Sequence, residues 1–531
     1  MAHAWNVYQL LEHAAEHRSA CEAVVDGTQI TSYVELLQGV ELMAAQLAYH
    51  NVHPGARIVL SMSRCTAEVA AIIAVSRLRA AFVSVSTSWT PHQLAQICDD
   101  VGAPVLCIDR TRRGQAQLLS TLTKSRILDL QHERDGPFDC LRPLGLPSQE
   151  SYSISARDVE TTVGPPIDKD VAALLYTSGS TGRPKGVVHS NGSLLASARS
   201  TVEYLRNKSS DRILCVLPFC FSYGLGQLLS ALCVGGAAVL QPPCTAREMV
   251  KAIIDQRITG FGSIPPVLSS IIEHLDHKPE AFPDLSYVTV AGGRSNAELH
   301  LGLSRHFRNQ RKFAMYGSTE ALRSTFLAPE FFEERPGCIG KAVPNAEVTV
   351  LRADGGVCAP DEIGELVHHG SSVALGYWSD AQETRAKFRR YPGLPSEIGS
   401  ESAFFSGDMV RRDCDGFIWY VGRIDRLIKA SGFRINPIAI EDVLASMEGV
   451  TEAIAFGRPD PTLGERICAA VRTSARDNVT EASLRRHCQQ ALPAHMVPMK
   501  FELWLEDFPR TGNNKVDVPA LIAGGLNGRW P

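Results

Sequence analysis

One stretch narrows the possible folds of this chain more than any other: the apolar run Val171-Ala-Ala-Leu-Leu-Tyr176 leads straight into Thr177-Ser-Gly-Ser-Thr-Gly-Arg-Pro-Lys-Gly186. An apolar run of this kind reads as a buried strand. A strand that ends in glycines, hydroxyls and a lysine places the loop at a sheet edge, where ligands bind. The glycines let the backbone turn through positive φ and approach a polyphosphate. The Ser and Thr hydroxyls donate to its oxygens, and Lys185 offers a compact positive charge. The stretch therefore reads as a nucleotide triphosphate loop. It has neither the Walker spacing, with four residues between Gly and Gly-Lys-Ser/Thr, nor the G-x-G-x-x-G of a dinucleotide fingerprint. A flexible linker is the ordinary reading of a Gly/Ser-rich tract. Pro184, Lys185 and the strand that feeds the loop argue against it here.

Around that loop the chain alternates helical and strand patterns. Val7 to Ala20 has helical periodicity, Ala56-Arg-Ile-Val-Leu-Ser61 reads as a strand, Ala67 to Leu78 as a helix, and Ala80-Ala-Phe-Val-Ser-Val-Ser86 as another strand. Such alternation predicts an α/β fold with largely parallel strands. Asp129 to Asp168, rich in Pro, Ser and acidic residues, reads as a long loop. A second α/β pass follows, with strands near Ile213 to Leu217, Ala237 to Leu240 and Tyr287 to Ala291. From about Pro336, short alternating segments such as Glu347-Val-Thr-Val-Leu351 and Gly364-Glu-Leu-Val-His368, set between turn residues, predict an antiparallel β region. Beyond Gly422 the pattern is mixed again, with helices at Ile440 to Met447 and Glu481 to Ala491 and strands at Glu452 to Phe456 and Cys468 to Val471. The expectation is a large multi-lobed N-terminal part, with two α/β sheets plus a β region, and a small α+β C-terminal domain.

At 531 residues the chain is too long for one core, given about 150 residues per domain. A formal net charge of −4 with scattered arginines makes no electrostatic case for nucleic acid, so a small-molecule partner is expected. Apolar runs stop short of membrane-spanning length, as where Val69 to Ser76 meets Arg77 and Arg79, so no membrane span is expected. The N-terminal Met-Ala-His-Ala-Trp-Asn-Val lacks the features of a secretory signal, so the expected location is cytoplasmic. The 14 cysteines are dispersed from Cys21 to Cys488 without metal or redox spacing, which predicts reduced, mostly buried thiols. Cys215 and Cys220 flank an expected pocket segment.

Further motifs follow in order. Tyr316-Gly-Ser-Thr-Glu320, after the strand-like Lys312-Phe-Ala-Met315, gathers an aromatic ring, a turn glycine, a hydroxyl and a carboxylate. Tyr can stack on a purine, Thr can hold a phosphate oxygen, and Glu can bind magnesium, which prefers oxygen ligands. Capping a turn is the plainer role for such residues. Then come Ser406-Gly-Asp408, Gly422-Arg-Ile-Asp425, Leu427-Ile-Lys-Ala-Ser-Gly-Phe-Arg-Ile435 and Pro509-Arg-Thr-Gly-Asn-Asn-Lys515. Taken in this order, the segments resemble the adenylate-forming superfamily of AMP-dependent synthetases and ligases. It comprises acyl- and aryl-CoA synthetases, peptide-synthetase adenylation domains and firefly luciferase. The resemblance spans nearly the whole chain, supported by Arg79-Ala-Ala-Phe-Val-Ser-Val, Pro336-Gly-Cys-Ile-Gly-Lys-Ala-Val-Pro344, Gly364-Glu-Leu366 and Gly376-Tyr-Trp378.

Position by position, the resemblance implies that Thr177, Ser178, Thr181 and Lys185 embrace the β- and γ-phosphates of ATP, on a loop shaped by Gly179, Ser180 and Gly182. Thr319 contacts the α-phosphate and Glu320 holds Mg²⁺. Tyr316, beside the turn glycine Gly317, packs on adenine near Gly292 and Gly293, while Asp408 and Arg423 bind the ribose. Lys515 bridges the substrate carboxylate and the α-phosphate, acting as the catalytic residue with Thr319 and Glu320. Asp425 matches a hinge, which divides the chain into an N-terminal AMP-binding and acyl-substrate domain, residues 1–424, and a mobile C-terminal domain, residues 425–531. Gly432 borders the thiol tunnel that domain rotation opens. The chemistry agrees with this assignment. A carboxylate attacking a phosphate ester brings negative groups together, so a lysine and Mg²⁺ must offset the repulsion and the charge on departing pyrophosphate.

The chain departs from the family pattern in places. Asn514 stands where Gly usually precedes the catalytic lysine, and Asn tolerates left-handed φ. Gly292-Gly-Arg-Ser295 replaces the usual Gly-Gly-Ala-Pro, leaving Arg294 to reach the substrate or face solvent. In Leu217-Pro-Phe-Cys-Phe-Ser-Tyr-Gly-Leu225, Ser222 occupies the place of the aspartate that pairs an amino-acid substrate's amine. An acid without an amino group is therefore expected. Phe221 and Tyr223, with Phe219, suggest an apolar or aromatic pocket, with core packing as the plain alternative. Arg323 is placed to pair with a second polar group on the acid. The expected activity is ATP- and Mg²⁺-dependent activation of a fatty or aromatic acid to an acyl-adenylate, followed by transfer to coenzyme A, since no carrier domain is attached. A freestanding enzyme that loads the phosphopantetheine of a separate acyl or aryl carrier protein is the second reading. A non-catalytic adenylate- or acyl-binding sensor is the third.

Overall fold

The computed structural model describes residues 4–130, 164–178, 184–293, 295–393, 402–424, 426–430, 433–460, 463–473, 479–511 and 516–524. It divides into two compact units: Met1–Val348 with His368–Phe404, and Thr349–Val367 with Phe405–Pro531.

The first unit contains two α/β sheets, as the alternating patterns predict. In one, the strands Arg57–Ser61, Ala81–Ser84, Val105–Ile108 and Arg126–Asp129 run parallel, and Phe82 pairs with Ala173 to bring in the strand Val171–Ser178. Ala81–Ser84 and Val105–Ile108 are buried at every position, as strands covered on both faces must be. The helix Thr66–Arg77 that follows the first of them is buried from Thr66 to Ser76, in keeping with its mostly apolar sequence, and Glu68 is among its buried residues. The helix Pro91–Val101 is delimited by local chemistry. Thr90 and Gln93 form a capping box, Pro91 opens the first turn, and Gly102 closes the helix at φ 58°.

In the other sheet the strands Ala237–Leu240, Arg212–Cys215, Gly260–Ser263, Tyr287–Val290 and Arg311–Tyr316 lie side by side and parallel. Chain order reverses across Arg212–Cys215, whose neighbours are Ala237–Leu240 on one side and Gly260–Ser263 on the other. Crevices for ligands form at such reversals, because the crossover helices leave on opposite faces. The N-terminal hairpin Glu22–Asp26/Gln29–Ser32 joins this sheet beside Ala237–Leu240, a pairing that the sequence pattern does not foretell. Thr325–Leu327 and Cys338–Ala342 continue it antiparallel beyond Arg311–Tyr316, where the turn-rich texture begins.

In the second unit, Asp408 to Arg412 of the strand Ser402–Arg412 pairs antiparallel with Ile418–Arg423. Val450–Asp460, Gly464–Thr473 and Lys500–Trp504 form a separate sheet with the hairpin Ile428–Ala430/Phe433–Ile435. The helices Pro437–Ala445 and Glu481–Ala491 pack on it through Ile440, Leu444, Leu484 and Cys488. Among the described residues no helix is long and apolar enough to cross a membrane. The described cysteines are free thiols and mostly buried.

Candidate functional site

The glycine-rich loop springs from a hairpin of Val171–Ser178 and Pro184–Ser190, with Tyr176 opposite Gly186 and Thr177 opposite Lys185. Gly186 leaves room for the Tyr176 ring, which would stand 3.0 Å from an added Cβ. Lys185 pairs with Glu383 at 3.0 Å and lies 5.7 Å from the centroid of the Tyr377 ring. Tyr377 sits on a two-residue strand paired with Val187, so the sheet itself delivers its ring to the lysine. The Tyr377 hydroxyl donates to Glu320 Oε1 at 2.8 Å. The other carboxylate oxygen of Glu320 has no hydrogen bond or ion pair among the described residues.

Glu320 belongs to a tight turn from Tyr316 to Ser324, closed by the Ser324 N–H donating to the Tyr316 carbonyl at 3.1 Å. Leu322 takes the left-handed conformation at φ 43°, strained for a branched residue. Its carbonyl oxygen would lie 2.0 Å from a Cβ at position 317, so only Gly317 fits. The Thr319 carbonyl is held by His189 Nε2 at 2.8 Å, and Nδ1 of the same ring meets Ser193 Oγ at 3.1 Å. Burial lowers the His189 pKa to about 4, so the ring ties strand to turn in its neutral form. Tyr316 stacks on His368, with centroids 6.0 Å apart and planes at 17°. His368 is buried with neither ring nitrogen hydrogen-bonded among the described residues, and desolvation holds its pKa down to about 3.

The turn's inner side carries Arg323, which is 5 % exposed. Its guanidinium lies 4.8 Å from the Tyr223 ring centroid and donates to the carbonyls of Leu322 at 3.2 Å and Tyr223 at 3.4 Å. No carboxylate pairs with it among the described residues. Arg323 and Tyr223 line a small cavity between the helix Ser222–Val234 and the strands Gly260–Ser263 and Tyr287–Val290. Phe221 and Ser222, at the start of that helix, do not line this cavity. Phe219 is fully buried, as core packing requires, and burial raises the Cys215 thiol to about 12. Gly292, at φ 81°, and Gly293 pass close over Ile264 and Pro265.

In the second unit, Asp408 stands opposite Arg423 in the strand register, with Oδ1 3.4 Å from the guanidinium. Asp408 is buried, and its N–H donates to Ser406 Oγ at 3.0 Å. Ser178 ends its strand. Gly179, Ser180, Thr181, Gly182, Arg294, Asp425, Gly432 and Lys515 lie outside the described residues. Arg510 and Val516, on either side of the Lys515 segment, pair in an antiparallel bridge.

Lys185, Thr319 and Glu320 are thus brought together, through partners that the sequence pattern does not identify: Tyr377, Glu383 and His189. Tyr377 had a signal, since it lies in the Gly376-Tyr-Trp378 segment. His189 had none, because a lone histidine in an apolar strand looks like any core residue.

Residues 11–378 match the AMP-binding enzyme family, and residues 439–515 match the AMP-binding enzyme C-terminal domain. Tyrocidine synthase 3 of Brevibacillus parabrevis is 28% identical over 97% of this chain, which spans 8% of that protein's length. Novobiocin biosynthesis protein H of Streptomyces niveus is 28% identical over 98% of this chain and 84% of its own length. The fold matches O-succinylbenzoate coenzyme A synthetase from Bacillus subtilis in complex with AMP at TM-score 0.80 and 24% identity, over 97% of each chain. It also matches ATP-bound MatB from Rhodopseudomonas palustris at TM-score 0.85 and 22% identity, over 99% of each chain.

Proposed function

The chain belongs to the AMP-binding enzyme family of adenylate-forming ligases, and from that premise we propose that it activates a carboxylic acid with ATP and passes the acyl group to the thiol of coenzyme A. The observation that carries this reading is the Lys185–Tyr377–Glu320 cluster, a cation and a carboxylate held by one tyrosine beside the loop-bearing hairpin. In the first half-reaction a carboxylate oxygen of the acid attacks the α-phosphorus, the bond to the bridging oxygen breaks, and pyrophosphate leaves. In the second the thiolate attacks the acyl carbon and AMP leaves.

Lys185 is assigned to the β- and γ-phosphates, with Thr177, Ser178 and Thr181, and exchanges its Glu383 partner for them. Thr319 is assigned to the α-phosphate. Glu320 suits Mg²⁺, because one of its oxygens is fixed by Tyr377 while the other carries no protein partner among the described residues. A bound Mg²⁺ would offset the charge of the phosphates. Tyr316, backed by the flat His368 ring, offers adenine an aromatic face. Asp408 is assigned to the ribose hydroxyls with Arg423, Lys515 to the bridge between carboxylate and α-phosphate, and Asp425 to the hinge that opens the C-terminal domain.

The test is acid-dependent ATP–pyrophosphate exchange, with mass detection of the acyl-adenylate. Lys515→Ala is expected to lower exchange by roughly 1,000-fold, and unchanged exchange would refute the assignment. A second reading, loading of a carrier protein's phosphopantetheine, is favoured by the similarity to peptide-antibiotic synthases. Offering the adenylated enzyme both coenzyme A and a phosphopantetheinyl carrier separates the two by which thiol becomes acylated.

A further inference from the structure

The cavity between the helix Ser222–Val234 and the strands Gly260–Ser263 and Tyr287–Val290 is lined by a positive charge that no carboxylate meets among the described residues. Arg323 is 5 % exposed, and its Nε is buried without a hydrogen-bond partner among the described residues. Gln227, 7 % exposed, lines the same cavity. Its amide donates to the Gly262 carbonyl at 2.8 Å, and its Oε1 also lacks a partner. A buried guanidinium without an anionic partner is costly to the fold. The phenols around it give no counter-ion, since burial raises the pKa of Tyr223 and Tyr204 and keeps both neutral.

The surrounding backbone is cut away to accommodate these polar groups. A Cβ at Gly226 would lie 3.0 Å from Arg323 Nη2, one at Gly260 would lie 2.2 Å from the Tyr287 hydroxyl, and one at Gly262 would lie 2.0 Å from Thr289 Oγ1. The cavity lies over the face of the strands Gly260–Ser263 and Tyr287–Val290, next to Arg212–Cys215, across which strand order reverses. A pocket for a plain alkyl or phenyl group needs no buried cation. We propose that the acid activated by this enzyme is a dicarboxylic acid, and that Arg323 determines specificity by pairing with its second, non-reacting carboxylate. This rests on the adenylation reading above and names its substrate class.

The test uses the full chain in acid-dependent pyrophosphate exchange, with acids paired by shape: glutarate with butyrate, adipate with pentanoate, and terephthalate with 4-methylbenzoate. The best dicarboxylate is expected to exceed its monocarboxylate counterpart by roughly 100-fold in kcat/KM. Arg323→Met is expected to abolish that preference while monocarboxylates are still adenylated, and Arg323→Lys to retain part of it. A merely structural arginine would lower both series together. Without acid, Arg323→Met is expected to keep the wild-type Tm, because the change removes a charge without an anionic partner. Should that variant fail to fold, Gly226→Ala, which crowds Nη2, is expected to reduce the same preference. Equal turnover of paired acids by the wild type, or an equal loss in both series on substitution, overturns the inference and leaves adenylation standing. Failure of every acid to yield an acyl-adenylate overturns the adenylation reading and this inference with it.

Discussion

The two sides of the Tyr316–Ser324 turn solve opposite problems. On one, Lys185 has Glu383, Glu320 has Tyr377, and the Thr319 carbonyl has His189, so each group that would meet phosphate or metal is already positioned by a protein partner. On the other, Arg323 and Gln227 are buried with polar atoms left unpaired. The difference tracks what each ligand can supply. A nucleotide is polyanionic and hydrated, so its site can keep provisional partners and exchange them. In the proposed reading the remote end of the acid meets Arg323 in a buried cavity, and selectivity comes from the cost of leaving that cation without an anion.

The largest expected effect lies on the partnered side. Glu320→Gln keeps the shape but removes the charge, and pyrophosphate exchange should fall by roughly 1,000-fold. A loss under about tenfold, measured at saturating magnesium, would remove the carboxylate from that role. Next comes the unpartnered side, where Arg323→Met should cost roughly 100-fold on dicarboxylates with little loss of Tm. A large drop in Tm with equal losses on all acids would erase the contrast between the two sides.

Acid sensitivity gives a third comparison. His189 and His368 are held neutral in the fold, with pKa values lowered to about 4 and about 3, while the unfolded chain takes up protons near 6.5. The unfolded state therefore binds more protons below that pH. Stability contributed by the neutral rings is full above about pH 6.5 and is lost as pH falls toward the folded values, by on the order of 2 kcal/mol for each ring at pH 5. His368→Leu should flatten the acid limb of a urea-melt series between about pH 7 and pH 4. An unchanged slope would mean that the ring is protonated within the fold. The smallest effect is expected from Tyr377→Phe, which frees Glu320 of its hydroxyl partner and should lower exchange by about tenfold. Its KM for ATP should change little, since the carboxylate itself remains.

Local pattern was enough to read off the α/β class, the strand that ends in the glycine-rich loop, the antiparallel stretch after Pro336 and the ordered motifs that mark the family. Each is written in short-range terms: a hydrophobic period, a run of glycines, a hydroxyl at a fixed offset. Lys185, Thr319, Glu320 and Asp408 could be named on those grounds. Long-range packing settled the rest, beginning with the hairpin Glu22–Ser32, which joins the sheet beside Ala237–Leu240. Packing also brings His189 to Thr319 across 130 residues and Tyr377 to Glu320 across 57. Arg323 shows why. In a sequence a solvated arginine and a buried, unpaired one are the same letter. Only the packing of Tyr223, Gly226 and Gly262 around it buries the guanidinium, because burial is set by residues distant in sequence.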